Sequence, residues 1–244
     1  MYEKHNEHYG EFNGVRLCWF ERHPERRHEG TVLLVHATGF HARCWDAVVR
    51  GLGERHVIAL DMRGHGRSQN EGPYGWDVFG EDVAAFLTQL DLRGVTAVGH
   101  SFGGYAVTYA AHECPDRIDR LVLVDPVILE SAAYESTLHE RWLTDGGEHP
   151  VARRRNQFAS AQAMYENYDG KGSFGLWRDS VLRSYCDHGL QPAEDGEGYV
   201  LACPPSVEAA IYMGTSGNSI HHMLPNVRQP ATVLRAQPRP DEAT

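Results

Sequence analysis

Gly99-His100-Ser101-Phe102-Gly103 stands directly after one short apolar segment, Val95–Val98, and directly before a stretch with helical spacing, Phe102–His112. Few chain paths satisfy all three features at once. Glycines on both sides of the serine permit a backbone bend too sharp for side chains. A bend between a strand and a helix lifts the serine out of the sheet and aims its hydroxyl at the helix N-terminus. That end carries unpaired backbone N–H groups and the positive pole of the helix. Negative charge developing at Ser101 would be stabilised there, with the Phe102 N–H among the donors.

The segments before and after this bend alternate in kind. Phe12–Phe20 reads as a strand or hairpin turning at Asn13-Gly14. Thr31–His36 (TVLLVH) is nearly continuous in apolar character, as in a strand buried on both faces. Ala42–Leu52 places Trp45, Val48, Val49 and Leu52 on one helical face. A strand over His56–Leu60 follows, ending at Asp61 and a glycine-rich turn. Trp76–Leu90 is again helical in period, through Phe79, Val83, Phe86, Leu87 and Leu90, and Leu121–Val124 is a strand. Strand–helix–strand alternation at this spacing predicts right-handed crossovers and an α/β fold with a doubly wound, mostly parallel sheet. From Val127 to His222 the pattern becomes helical, rich in Tyr, Trp and Met and broken by Gly and Pro. The sheet pattern resumes at Ala231–Leu234. The expected organisation is a core of residues 1–126 and 223–244, interrupted by a mostly helical insertion over 127–222.

Composition narrows the function classes. With 41% hydrophobic and 23% charged residues the chain reads as an ordinary globular protein. A net charge of −10 argues against nucleic acid or an anionic membrane as the main partner. No apolar run reaches membrane-helix length, and the polar start MYEKHNEHYG is not a secretory signal. Five scattered cysteines without a CxxC pair fit free thiols in a reducing compartment, so the cytoplasm is the expected location. Fifteen histidines include no HExxH or similar pair, so no metal is expected, and nothing implies a cofactor.

Two other loops follow predicted strands: His36-Ala37-Thr38-Gly39-Phe40, and Asp61-Met62-Arg63-Gly64-His65-Gly66-Arg67-Ser68. With the serine pentapeptide and Leu121–Pro126 (LVLVDP), in this order and spacing, they resemble the α/β-hydrolase superfamily. Its pattern reads HGxG, D-x-R-G-x-G-x-S, GxSxG, LVLxDP. The likeness covers about Gly10 to Val127 well, and Gly189–Pro205 and Pro225–Arg235 less specifically. It implies that Ser101 is the nucleophile, that Thr38 and Phe102 supply oxyanion N–H groups, and that Asp61–Ser68 is a structural turn. His100 would face away from the substrate, and the insertion would be a cap over the site. Ala37 departs from the family's usual glycine, which matters only if that position needs a positive φ.

The resemblance also implies an acid and a histidine after the serine. Asp241 is the candidate acid by order, and Asp125, directly after the strand that precedes the insertion, is the alternative. The histidine loop is expected roughly 25–40 residues beyond Leu234 by strand–helix–strand spacing. The chain is therefore expected to be a fragment in which no histidine, His41, His221 and His222 included, reaches Ser101. His36, Trp142 and Trp177 are the candidates for substrate contact. Aromatic residues of the insertion would line a pocket or hold its helices together, and Arg153-Arg154-Arg155 would attract a carboxylate or form a solvated face. The expected activity is hydrolysis of a small ester or related carbonyl compound through an acyl-enzyme. The alternatives are a C–C hydrolase or lyase on the same scaffold, and a non-catalytic ligand-binding protein without a general base.

Overall fold

The computed structural model describes residues 6–129, 149–215 and 217–236. Seven strands form one sheet: β1 (Asn6–Phe12), β2 (Val15–Arg22), β3 (Thr31–Val35), β4 (His56–Asp61), β5 (Val95–His100), β6 (Ile118–Val124) and β10 (Ala231–Leu234). Their order is β1-β2-β4-β3-β5-β6-β10. The β1–β2 hairpin and the β2–β4 pair are antiparallel, and every other pair is parallel. The hairpin turns at Asn13 (φ 47°) and Gly14 (φ 75°), two successive left-handed residues of the kind a two-residue hairpin loop requires.

The unbroken apolar runs have a simple origin, because the sheet is covered on both faces. Leu33 and Val35 of β3, Ile58 and Leu60 of β4, and Leu17 and Trp19 of β2 join one core cluster. The intervening Leu34, Val57, Ala59, Cys18 and Phe20 join a second cluster on the other side. The period of two therefore persists within runs that contain no polar residue. Helices α2 (Trp76–Gln89) and α3 (Phe102–Glu113) cover the first face through Phe79, Val83, Phe86, Ala106 and Ala110. Helix α1 (Asp46–Gly51) covers the second through Val49. Each leucine fully buried here contributes roughly 1.5–3 kcal/mol. A buried bidentate ion pair, Arg63 to Asp82 at 2.7 Å for both contacts, fastens the turn after β4 to α2.

The insertion is helical only in part. Helices α4 (Ala161–Tyr168) and α5 (Asp179–His188) are flanked in the chain by the strands of a three-stranded antiparallel sheet, β7 (Gln157–Phe158) before them and β8 (Leu190–Pro192) and β9 (Tyr199–Leu201) after, in the order β7-β9-β8. Strands of two or three residues are too short to show a period in sequence, which is why the small sheet was not expected. Phe158, Met164, Leu182, Tyr185, Cys186 and Leu201 form the insertion's own core. Its last helix, α6 (Pro205–Met213), belongs to the packing of the main core through Val207 and Ile211. The Trp76 indole N–H donates to the Ile211 carbonyl at 2.7 Å.

Candidate active site

Ser101 follows β5 and stands at the N-cap of α3 with φ 53° and ψ −116°. A non-glycine residue is strained there by roughly 1–3 kcal/mol, and such strain persists only where its surroundings enforce it. Here the enforcement is backbone-on-backbone. A Cβ on Gly103 would lie 2.4 Å from the Val35 carbonyl oxygen and 2.5 Å from that of His36. One on Gly99 would lie 2.3 Å from the Gly103 carbonyl oxygen. The first turn of α3 is thus pressed directly against the end of β3, where the His36–Phe40 loop begins. The Ser101 N–H donates to the Val124 carbonyl (2.9 Å), and the Ser101 carbonyl accepts from Gly104 (2.9 Å) and Val127 (3.1 Å). The Phe102 ring is buried against Trp76 and Phe79, with ring centroids 4.8 Å away in both cases. Its N–H lies in the first helical turn, where no intrahelical acceptor is available.

The second loop is a tight turn closed by Phe40 N–H to Ala37 C=O at 3.1 Å. Thr38 is its first corner residue and Gly39, at φ 76°, its second. Gly39 carries the left-handed conformation and Ala37 does not, so alanine in the place of the family's usual glycine carries no backbone strain. A sequence model of the alpha/beta hydrolase family matches residues 32–238, the span that holds this loop, the elbow and the strand after it. The chain belongs to the alpha/beta hydrolase family.

Among relatives of this hydrolase-family chain, Lipase LipV of Mycobacterium tuberculosis (strain ATCC 25618 / H37Rv) is 38% identical over 100 residues, 40% of this chain and 37% of that protein. Esterase Rv0045c of the same strain is 34% identical over 139 residues, 55% of this chain and 44% of that protein. Both alignments span less than half of the relative's own length. The solved structure "Thioesterase Domain From Curacin Biosynthetic Pathway" superposes with a TM-score of 0.74 at 21% identity, covering 98% of this chain and 87% of that one. At that identity the likeness concerns the fold.

The Asp61–Ser68 turn is held together internally. Asp61 accepts from the N–H groups of Ala42 (2.6 Å) and Arg67 (3.0 Å), and Ser68 Oγ donates to the Asp61 carbonyl at 2.6 Å. Burial pushes the Asp61 carboxyl up to about 6, against the two backbone donors that favour its charge. His65 Nε2 accepts the Gly39 N–H at 3.0 Å and so ties this turn to the Thr38 loop. Burial brings His65 down to about 4.

His36 lies beneath the loop at 1% exposure, its Nδ1 on the Ala37 carbonyl (2.8 Å) and its Nε2 accepting from Met62 N–H (3.0 Å). Both nitrogens are used within the fold, a bracing position rather than one open to a substrate. Trp177 packs edge-on against Phe40 at 5.3 Å and beside Tyr185 at 5.7 Å. His100 sits near Phe40 and Trp45, with its pKa lowered by burial. Asp125 follows β6 with φ 44°, and its N–H donates to the Leu234 carbonyl at 2.6 Å. Trp142 and Asp241 lie outside the described residues. His41 bonds the Tyr185 carbonyl at 3.1 Å and His221 the Leu129 carbonyl at 2.5 Å.

The aromatics of the insertion largely hold it together: Tyr168, Phe174, Trp177 and Tyr185 pack on one another with centroids 4.4–6.1 Å apart. Of the arginine run, Arg154 does find a carboxylate, and it is the protein's own Glu208, at 2.6 Å. Sequence reasoning missed this pair, because no local signal links residues so far apart in the chain. Among the described residues no group of His, Cys, Asp and Glu is arranged to hold a metal ion, and no helix is long and apolar enough to cross a membrane.

Proposed function

We propose that this chain carries the nucleophile and oxyanion loop of a serine hydrolase that cleaves a small ester or related carbonyl substrate. The observation that carries the reading is the strained conformation of Ser101 at a strand–helix elbow built against the end of β3. In this reading the Ser101 hydroxyl attacks the carbonyl carbon, its proton passes to a general base, and the carbonyl π electrons move onto oxygen. The Phe102 and Thr38 N–H groups stabilise that oxyanion; its collapse breaks the C–O bond while the protonated base gives its proton to the leaving oxygen, so an alcohol departs and an acyl-enzyme remains, which water activated by the same base hydrolyses. The base is the histidine that the family resemblance implies after the serine and its acid. Its supporting acid is Asp241 or Asp125, the latter held at the end of β6 beside β10. The insertion acts as the cap, with Trp177 beside the loop that bears Thr38. The proposed location is the cytoplasm.

The test is hydrolysis of short-chain p-nitrophenyl esters by the protein carrying the histidine that the resemblance implies, as wild type and as Ser101→Ala. A loss of at least about a thousandfold in kcat is expected, with the thermal midpoint little changed. Undiminished hydrolysis by the alanine variant would remove Ser101 from the chemistry.

A further inference from the structure

Glu208, in the first turn of α6, is 5% exposed, and its carboxylate is turned towards the Thr38 loop. A Cβ on Gly39 would lie 2.5 Å from its Oε1 and 3.2 Å from its Oε2, so the carboxylate sits in the space that this glycine leaves open. Arg154 Nη1 donates to Glu208 Oε2 at 2.6 Å, while Nη2 donates to the hydroxyls of Tyr168 (2.9 Å) and Tyr185 (3.0 Å). Tyr185 in turn packs on Phe40 (5.6 Å) and stacks on His41 (5.8 Å). One guanidinium therefore holds the loop twice, through Glu208 against Gly39 and through Tyr185 against the next two residues.

The electrostatics are more demanding than the packing. A buried negative charge one residue from the Thr38 N–H opposes an oxyanion at that N–H, and water is too scarce there to screen it. Besides Arg154, the titratable groups that face Glu208 are Tyr185, Tyr212 and Cys203. Burial raises all three, so they stay neutral and offer no compensation. The neutralising charge comes from Arg154.

We propose that Arg154 is a positioning residue for the reaction at Ser101: paired with Glu208 behind Gly39, it cancels the carboxylate's field at the Thr38 N–H and so lets that donor act on the oxyanion. This rests on the roles given above to Ser101 and Thr38.

The experiment compares wild type, Arg154→Met, Arg154→Lys and the double variant Arg154→Met/Glu208→Gln from about pH 5 to about pH 9, above the ordinary carboxylate range. Two quantities are followed: the rate of fluorophosphonate labelling at Ser101, and the backbone amide resonances of Thr38 and Gly39. In Arg154→Met, labelling relative to wild type is expected to fall about tenfold or more as pH rises and Glu208 ionises without its partner. The two amides should shift with the same midpoint. Arg154→Lys, which keeps the charge but not the fork, should show a smaller fall than Arg154→Met, and the double variant should stay within about threefold of wild type with no pH trend. A ratio constant with pH and unmoved amides in Arg154→Met would overturn the proposal, because a merely structural latch predicts that result. If wild type is not labelled, the Ser101 reading fails on its own, and the amide titration still decides for or against compensation. Should Arg154→Met not fold, Glu208→Gln alone decides: labelling no slower than wild type supports the proposal, and slower labelling overturns it.

Discussion

His36 and His65 meet edge to face at 4.8 Å, and each accepts a backbone hydrogen bond from the other's loop. Met62 N–H donates to His36 Nε2 and Gly39 N–H to His65 Nε2, both at 3.0 Å. Each Nδ1–H donates to a carbonyl of its own loop, Ala37 for His36 and Arg63 for His65. The pair thus laces the ends of β3 and β4 and holds Gly39, on which the Thr38 corner depends. Both rings must be neutral, since a protonated ring has no acceptor nitrogen.

That requirement sets an acid limit. Burial holds His65 at about 4 and His36 well below its ordinary value, with the His65 ring adding to the effect on His36. In the unfolded chain both titrate near 6.5. The folded state therefore binds fewer protons, and stability present above about pH 6.5 is lost as pH falls towards 4. His65 alone accounts for about 3 kcal/mol across that window. Thermal midpoints measured from neutral pH downwards should fall steeply over this range, and less steeply in His65→Gln. An equal slope in the variant would remove His65 from the account.

Ser101 holds its strained backbone whatever its side chain does, so the strain is separable from the chemistry. Ser101→Gly should abolish labelling yet raise stability by roughly 1 kcal/mol over Ser101→Ala, since glycine takes a positive φ at little cost. Denaturant midpoints of the two variants check this. An alanine variant as stable as the glycine variant would show that the elbow is not strained.

The elbow's glycines divide from the rest by what lies around them. Gly103→Ala forces a Cβ to within 2.4 Å of a strand carbonyl and should cost more than about 3 kcal/mol or prevent folding. Gly51→Ala, in α1 with open space around it, should be neutral or stabilising by up to about 1 kcal/mol. Urea unfolding of the two variants gives the comparison, and similar values for both would contradict the steric account.

How far the sequence reaches depends on the range of the interaction that decides each feature. The hairpin at Asn13-Gly14, the apolar strand read over Thr31–His36 and observed over Thr31–Val35, and the glycines around Ser101 are governed by neighbours a few residues away. They were legible, and the observed elements match them closely. Strand β6 begins at Ile118, three residues before its apolar run, because exposed Asp119 and Arg120 conceal the start. The Arg154–Glu208 pair and the lacing of His36 with His65 join segments that only the folded sheet and insertion bring together. His36, His65 and Arg154 stood in segments singled out in the sequence, whereas Glu208 did not, and neither pairing was legible. Asp61, read as part of a structural turn, sits in a web of backbone donors that the turn alone does not announce.

The central claim is that Ser101 is a nucleophile presented to an oxyanion loop, and the site of covalent attack tests it most directly. The protein is treated with a fluorophosphonate probe, digested, and the modified peptide sequenced by tandem mass spectrometry, with Ser101→Ala as control. The account predicts one adduct, on Ser101, and none in the alanine variant. An adduct elsewhere that survives in Ser101→Ala, or none in wild type, would contradict it.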